Sequence, residues 1–217
     1  MTIIVLAKAP VAGRVKTRLC PPCEPAQAAR LAEAALHDTL TAVAATPCTR
    51  HVLVLDGVQG PWLPVGFEVL PQRGEGLDER LANAFADVGD TGLLVGMDTP
   101  QLTPAGLAES LDTLRAGRAD VVLGPAVDGG WWCIGLREPD PAVFLGVPMS
   151  TPHTHVAQRT RLRELGLRVR ALPVMRDVDV IDDAVEVALH APHTRFAATL
   201  RSMLPTLHER DAALASR

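Results

Sequence analysis

Aromatic residues make up only 3% of this 217-residue chain, and tyrosine is absent. Single-strand nucleic-acid binders stack bases on aromatic side chains, so a set this sparse argues against that class. Neither sign of charge dominates. A net charge of -4 leaves no basic excess with which to grip a phosphate backbone, and no nucleic-acid partner is expected. Long apolar runs are missing too. The opening stretch Thr2 to Ala7 is far short of the roughly 20 residues a spanning helix needs, and it lacks a charged leader and a cleavage site. No membrane span and a cytoplasmic location are therefore expected. The four cysteines (Cys20, Cys23, Cys48, Cys133) form no disulfide framework in a chain of this size without a signal peptide. Cys20-Pro-Pro-Cys23 is a lone pair where a zinc site needs four ligands, so free thiols are expected. Gly-x-Ser-x-Gly and His-Glu-x-x-His are also absent, which leaves nucleophilic hydrolysis unsupported. His153-Thr154-His155 places two histidines at i, i+2, off a common helix face, with no third ligand in sight.

What is present is a core. Hydrophobic residues make up 47% of the chain, and short apolar runs alternate with helical periodicities along its length. Strands are predicted at 3–7, 51–55, 67–70, 92–96, 120–124, 131–136 and 167–172. Helices are predicted at 24–45, 77–88, from Pro104 to about 115, at 154–165, 181–191 and 194–204. Thr103 precedes Pro104 as an N-cap. This alternation implies an α/β fold with a mostly parallel mixed sheet covered on both faces, a three-layer α/β/α arrangement. With no repeat and no break in composition, residues 1–204 read as a single domain and 205–217 as a C-terminal tail.

Three segments follow predicted strands, at the sheet edge where open α/β folds bind ligands. The first strand empties into Lys8-Ala9-Pro10-Val11-Ala12-Gly13-Arg14-Val15-Lys16-Thr17-Arg18, with four cations in eleven residues. It fits neither the Walker A spacing nor Gly-x-Gly-x-x-Gly. A backbone approach at Gly13 with Lys8, Arg14, Lys16 and Arg18 around it suits a diphosphate, although such a loop is also compatible with a merely solvated basic surface. The strand Leu93-Leu94-Val95 ends in Gly96-Met97-Asp98-Thr99-Pro100. A carboxylate at the end of so apolar a strand needs a cationic partner, either a metal or a basic side chain. The third segment, Asp128-Gly129-Gly130-Trp131-Trp132, reads as a hairpin turn or as an acceptor region in which the glycines admit a ligand and Trp131 offers a flat face. Asp179, ahead of the helix at 181, is either a further metal ligand or a helix cap.

Taken in order, KAPVAGRVKTRL (8–19), QRGEGLDER (72–80), GMDTPQLT (96–103), GPAVDGGWWCIGL (124–136), FLGVPMST (144–151) and DVDVIDD (177–183) resemble the bacterial DUF2064 family, also labelled rSAM/selenodomain-associated transferase 1. The likeness spans about residues 2–190. It departs from the family pattern at Asp78, Met149 and the Trp131-Trp132 pair. The resemblance implies a Rossmann-like GT-A fold of the nucleotide-diphospho-sugar transferase type, with Mg²⁺ or Mn²⁺ as cofactor. It implies phosphate binding by the 8–18 loop, a metal or ribose role for Asp98, and an acceptor or metal role for Asp128.

The reading that follows is a glycosyltransferase with a nucleotide-diphospho-sugar donor and a small-molecule acceptor, working as a monomer or homodimer. Asp98, Asp128 and Asp179 are the candidate metal ligands, Asp98 and Asp128 the candidate catalytic carboxylates, and Gly129, Gly130 and Trp131 the acceptor region. Two alternatives stand beside it. One is a nucleotidyltransferase of the guanylyltransferase kind that serves molybdenum-cofactor or F420-precursor synthesis, with a nucleoside triphosphate donor. The other is a non-catalytic nucleotide-binding module.

Overall fold

A computed structural model describes the backbone of residues 1–215 and the side chains of residues 1–205. Seven strands form one sheet: β1 (Thr2–Lys8), β2 (Arg50–Asp56), β3 (Phe67–Pro71), β4 (Gly92–Val95), β5 (Val121–Pro125), β6 (Trp131–Leu136) and β7 (Val169–Ala171). Their spatial order is β3-β2-β1-β4-β6-β5-β7. All pairings are parallel except those of β6, which runs antiparallel to both β4 and β5. The expected α/β architecture with a mostly parallel mixed sheet is the one observed.

The strand sequences explain why the sheet sits in the middle. Side chains alternate across a strand, so Ile3, Val5 and Ala7 of β1 enter one core while Ile4 enters the other. Both faces are apolar, as a sheet covered on both sides requires. On the first face lie α1 (Pro25–Ala44), through Leu36, Leu40 and Val43, and α3 (Pro104–Arg115), through Leu107, Leu111 and Leu114. On the second lie α2 (Leu77–Val88), through Leu81, Ala84, Phe85 and Val88, and α4 (Thr154–Glu164), through Leu162.

α1 is buried on two sides. Its outer stripe, Ala28, Leu31, Ala34 and Ala35, packs against α5 (Ile181–His190) and α6 (Arg195–Ala215), with Val178, Val187, Phe196 and Leu200 in the contact. Small alanines let three helices approach this closely. Caps fall where the residues allow them. Thr103 Oγ1 accepts from Gly106 N at the start of α3, and Glu24 N donates to Gln27 Oε1 at the start of α1. The last helix begins as expected but runs on through Pro205 to Ala215, into the stretch read as a tail, while residues 216–217 lie outside the described residues. Among the described residues no helix is long and apolar enough to cross a membrane.

The site-forming edge follows from this topology. β1 continues to β2 and β3 on one side, whereas β4 lies on the other side of β1. The crevice at such a reversal, beyond the carboxyl ends of the strands, is where open α/β sheets take ligands. The loop after β1, the Gly96–Asp98 segment after β4 and the β5–β6 turn all open onto that edge, and together they line two adjoining pockets.

Candidate functional site

Asp98 stands just past the end of β4, and the loop after β1 delivers its partner. Lys16 Nζ lies 2.7 Å from Asp98 Oδ2 and 3.1 Å from Asp179 Oδ1. Lys16 holds a left-handed backbone, φ 47 and ψ 41, a conformation that costs a β-carbon residue free energy and persists only where surrounding contacts enforce it. Val15, buried against Ala29, Ala32 and Met97, anchors the loop on one side of that strained residue. Burial opposes the Lys16 charge, but Asp98 and Asp179 outweigh it and hold the ammonium above its ordinary pKa. Arg18 Nη1 reaches Asp179 Oδ2 at 3.0 Å from an exposed position.

The third carboxylate is Asp177, which is outside the ligand set expected from the sequence. Val178 N donates to Asp98 O at 3.0 Å, laying the 177–179 segment alongside the end of β4. Alternation in that extended segment sends Val178 into the core, 1% exposed, and turns Asp177 and Asp179 toward the cleft. One oxygen each from Asp98, Asp177 and Asp179 lie within 4.8 Å of one another. Burial, and then the like charges of Asp98, Asp128 and Asp179, push the Asp177 carboxyl up to about 7. Asp179 does not cap α5. Asp183 does so, with Oδ2 accepting from Val180 N at 3.1 Å and Asp179 N at 3.3 Å, while its Oδ1 takes Arg176 Nη1 at 2.8 Å.

The three-carboxylate cluster differs from the expected ligand set at one member. Asp128 lines the same cleft but is outside the cluster, in which Asp177 stands beside Asp98 and Asp179. The chain does carry a signal for this: Asp177-Val178-Asp179 is an Asp-x-Asp, offset from Asp98 by 79 residues of chain. Asp128 Oδ1 is engaged by Gly130 N at 2.8 Å, holding the turn.

Of the loop residues, Lys8, Arg14, Lys16 and Arg18 line the first pocket, about 580 Å³, with Arg80 opposite. Gly13 is exposed in a left-handed turn and is not among the residues that line either pocket. Gly130 and Trp131 line the second pocket, about 670 Å³, with Asp98, Asp128, Asp177 and Asp179. Gly129 serves the fold. Its φ is +88, and a Cβ there would fall 2.0 Å from Pro152 O, so the space left by the missing side chain is already filled by protein. The two tryptophans divide. Both line the second pocket, but Trp132 is largely core, with Nε1 donating to Pro173 O at 3.0 Å, while Trp131 Nε1 is buried with no partner among the described residues.

The two pockets differ in charge. The first sets Lys8, Arg14, Lys16, Arg18 and Arg80 against Glu75, Asp98 and Asp179. The second offers Arg18 alone against Asp98, Asp128, Asp177, Asp179 and Asp183. A polyanion is favoured in the first, and the shared carboxylates mark the border between them.

The DUF2064 family, described as an uncharacterized protein conserved in bacteria, matches residues 28–151. The chain is 30% identical over 201 residues to the 2-phospho-L-lactate guanylyltransferase of Methanothermobacter thermautotrophicus, covering 87% of this chain and 85% of that one. A crystal structure from Desulfovibrio desulfuricans G20, provisionally described as a nucleotide-diphospho-sugar transferase, superposes with a TM-score of 0.83 at 26% identity, covering 96% of this chain and 97% of the other. A nucleotidyl transferase of Methanothermobacter thermautotrophicus shares the fold at a TM-score of 0.58 and 16% identity, covering 93% of this chain and 99% of that one.

Proposed function

The chain belongs to the DUF2064 family and is related to transferases that act on nucleotides, and from this premise we propose that it is a nucleotidyltransferase that moves a nucleoside monophosphate from a nucleoside triphosphate to a small acceptor and releases pyrophosphate. One observation carries the reading. Three carboxylates and Lys16 converge at the switch point of the sheet, on the border between a basic pocket and an acidic one. The basic pocket suits the triphosphate, and the acidic pocket lies where an acceptor would approach the α-phosphorus.

The cluster fits a divalent metal on its own chemistry. It offers hard oxygen donors, and the raised pKa of Asp177 records a local excess of negative charge that a cation would relieve. Asp98, Asp177 and Asp179 would hold Mg²⁺ or Mn²⁺, which when bound neutralises charge on the reacting phosphates. The rest falls to the side chains. Lys8, Arg14 and Arg18 orient the triphosphate and offset the charge that develops on the leaving pyrophosphate. Lys16 shares its ammonium between the carboxylates and the phosphates. The acceptor oxygen forms its bond to the α-phosphorus as the α–β bridging bond breaks, and no protein nucleophile is needed. Asp128, with one oxygen not committed to its turn, is placed to accept a proton if the acceptor is a hydroxyl.

Glycosyl transfer is the second reading. It is favoured by the likeness to the Desulfovibrio desulfuricans protein and by the lack of cations for a phosphorylated acceptor in the second pocket. Product analysis separates the two. With a nucleoside triphosphate, Mg²⁺ or Mn²⁺ and an acceptor panel, nucleotidyl transfer releases pyrophosphate. Release of a nucleoside diphosphate from nucleotide-sugars with no pyrophosphate from triphosphates would favour the glycosyltransferase. Failure of both donor classes to turn over would leave a binding module.

A further inference from the structure

We propose that Glu75 reads the base of the donor and selects guanine; this rests on the nucleotide-binding reading of the first pocket. That pocket runs from Lys16 and Asp98, across the end of β1, to the 72–80 segment between β3 and α2. With the phosphates at the basic loop, the base falls at the other end, beside Gln72, Glu75, Leu77 and Arg80.

Hydrogen bonds fix the backbone around Glu75. Gln72 Nε2 donates to Ala7 O at 2.7 Å and Val54 O at 3.2 Å. Arg80 Nε donates to Gly74 O at 3.1 Å, and Asn83 Nδ2 to Arg73 O at 2.9 Å. Glu75 N donates to Glu79 Oε2 at 2.8 Å. Gly74 has φ +115, and a Cβ there would lie 2.7 Å from Glu79 Cβ, so only glycine permits this packing. Arg80 is held through Nε by Gly74 and through Nη1 by Asp56 and Gln72. The Glu75 side chain is exposed at the rim of the pocket, and its carboxylate makes no hydrogen bond or ion pair among the described residues, although five cations line the same pocket.

An unpaired carboxylate opposes polyanion binding unless it meets donors. A nucleotide base supplies them in one case. The guanine edge presents two adjacent donors, N1–H and the N2 amino group, which match the two oxygens of a carboxylate. Adenine and cytosine set an acceptor beside their amino group, and uracil flanks its single N–H with carbonyls. A site built on such a pair rejects analogues that leave it unmatched.

The test uses the full-length protein with Mn²⁺ and calorimetric titration of GTP, ITP, ATP, CTP, UTP and 2′-deoxy-GTP, on the wild type and Glu75→Gln. ITP differs from GTP only by loss of the N2 amino group. The expected result is GTP binding about tenfold tighter than ITP, with that ratio falling to within about twofold in E75Q because GTP loses more affinity than ITP, while the melting temperature stays unchanged. Equal GTP and ITP affinity in the wild type overturns the proposal. So does an equal loss of both in E75Q, or a wild-type penalty on 2′-deoxy-GTP that E75Q abolishes, which would assign Glu75 to the ribose. Preference for another triphosphate overturns guanine selection and leaves nucleotidyl transfer standing. Absence of binding by every triphosphate overturns nucleotidyl transfer itself.

Discussion

Asp177 is the residue on which the site's energetics turn. Its carboxyl is raised to about 7 by burial and by its acidic neighbours, so ionising it in the folded protein is unfavourable. The unfolded chain ionises it near its ordinary value, so this cost is absent below about pH 4, grows as pH rises, and is complete above about 7. Asp177→Asn should therefore stabilise metal-free protein at pH 8 by on the order of 1–2 kcal/mol after allowance for its partial exposure, read as a higher melting temperature, with no gain at pH 4. The same variant should lose most of the stabilisation that Mn²⁺ confers on the wild type, which thermal denaturation with and without the ion measures. Lys16 has the opposite balance. Lys16→Met strands Asp98 and loosens Asp179, and should cost about 3 kcal/mol in denaturant unfolding without metal, with turnover falling at least a hundredfold. Lys16 and Asp98 are legible in the sequence, because a basic loop and an apolar strand ending in Asp are local patterns. The only two lysines of the chain, Lys8 and Lys16, both stand in that loop. Asp177 is not legible in the same way. Its meaning depends on Val178 docking beside β4, a contact across 80 residues of chain, whereas Asp-Gly-Gly at 128–130 is a local pattern that both holds a turn and lines the cleft.

At the scale of elements, the helix and strand periods locate nearly every boundary to within a few residues, since each element buries a face with its own repeat. What they do not disclose is which acidic residue caps α5. Asp183 performs the capping and so frees Asp179 for the cleft. Asp183→Ala should lower stability by about 1–2 kcal/mol and reduce kcat/KM through misplaced Asp177 and Asp179, a loss that Asp183→Asn should partly restore. The β5–β6 turn is equally specific. Gly129→Ala meets Pro152 O and an unfavourable φ, and should destabilise by roughly 1–3 kcal/mol in denaturant titration. On the far side of the sheet, Asp120 ties β7 to β5. Arg168 grips it through Nε at 2.9 Å, Nη2 at 2.9 Å and its backbone N at 3.0 Å, and Arg137 adds an ion pair at 3.1 Å. The hydrogen bonds from Arg168 hold the Asp120 carboxyl down to about 2. Its contribution is thus full above about pH 4 and is lost as pH falls toward 2, so the gap in melting temperature between the wild type and Asp120→Asn should narrow in acid.

For the molecule as a whole, the doubly covered sheet places every functional group on one edge and leaves the remaining surface to packing. The basic and acidic pockets sit side by side across the carboxylate border, so nucleotide affinity should fall with added salt, read by titration at two ionic strengths, and EDTA should abolish turnover. The fold class is the most readable property, because an alternation of apolar runs and helical stripes leaves few other solutions. The charge contrast between the pockets is unreadable from the chain alone, since it sums residues from five separate segments. The left-handed Lys16 has a consequence at this scale too. By carrying its own ammonium into the acidic cluster, the chain travels with an internal counterion. It can fold, and wait, with no dissolved cation in the cell to shield its carboxylates, and an arriving cation must compete with a tethered one. On the proposed function, selectivity at this site would be a matter of exchange, in which an arriving divalent ion competes with the Lys16 ammonium for Asp98 and Asp179.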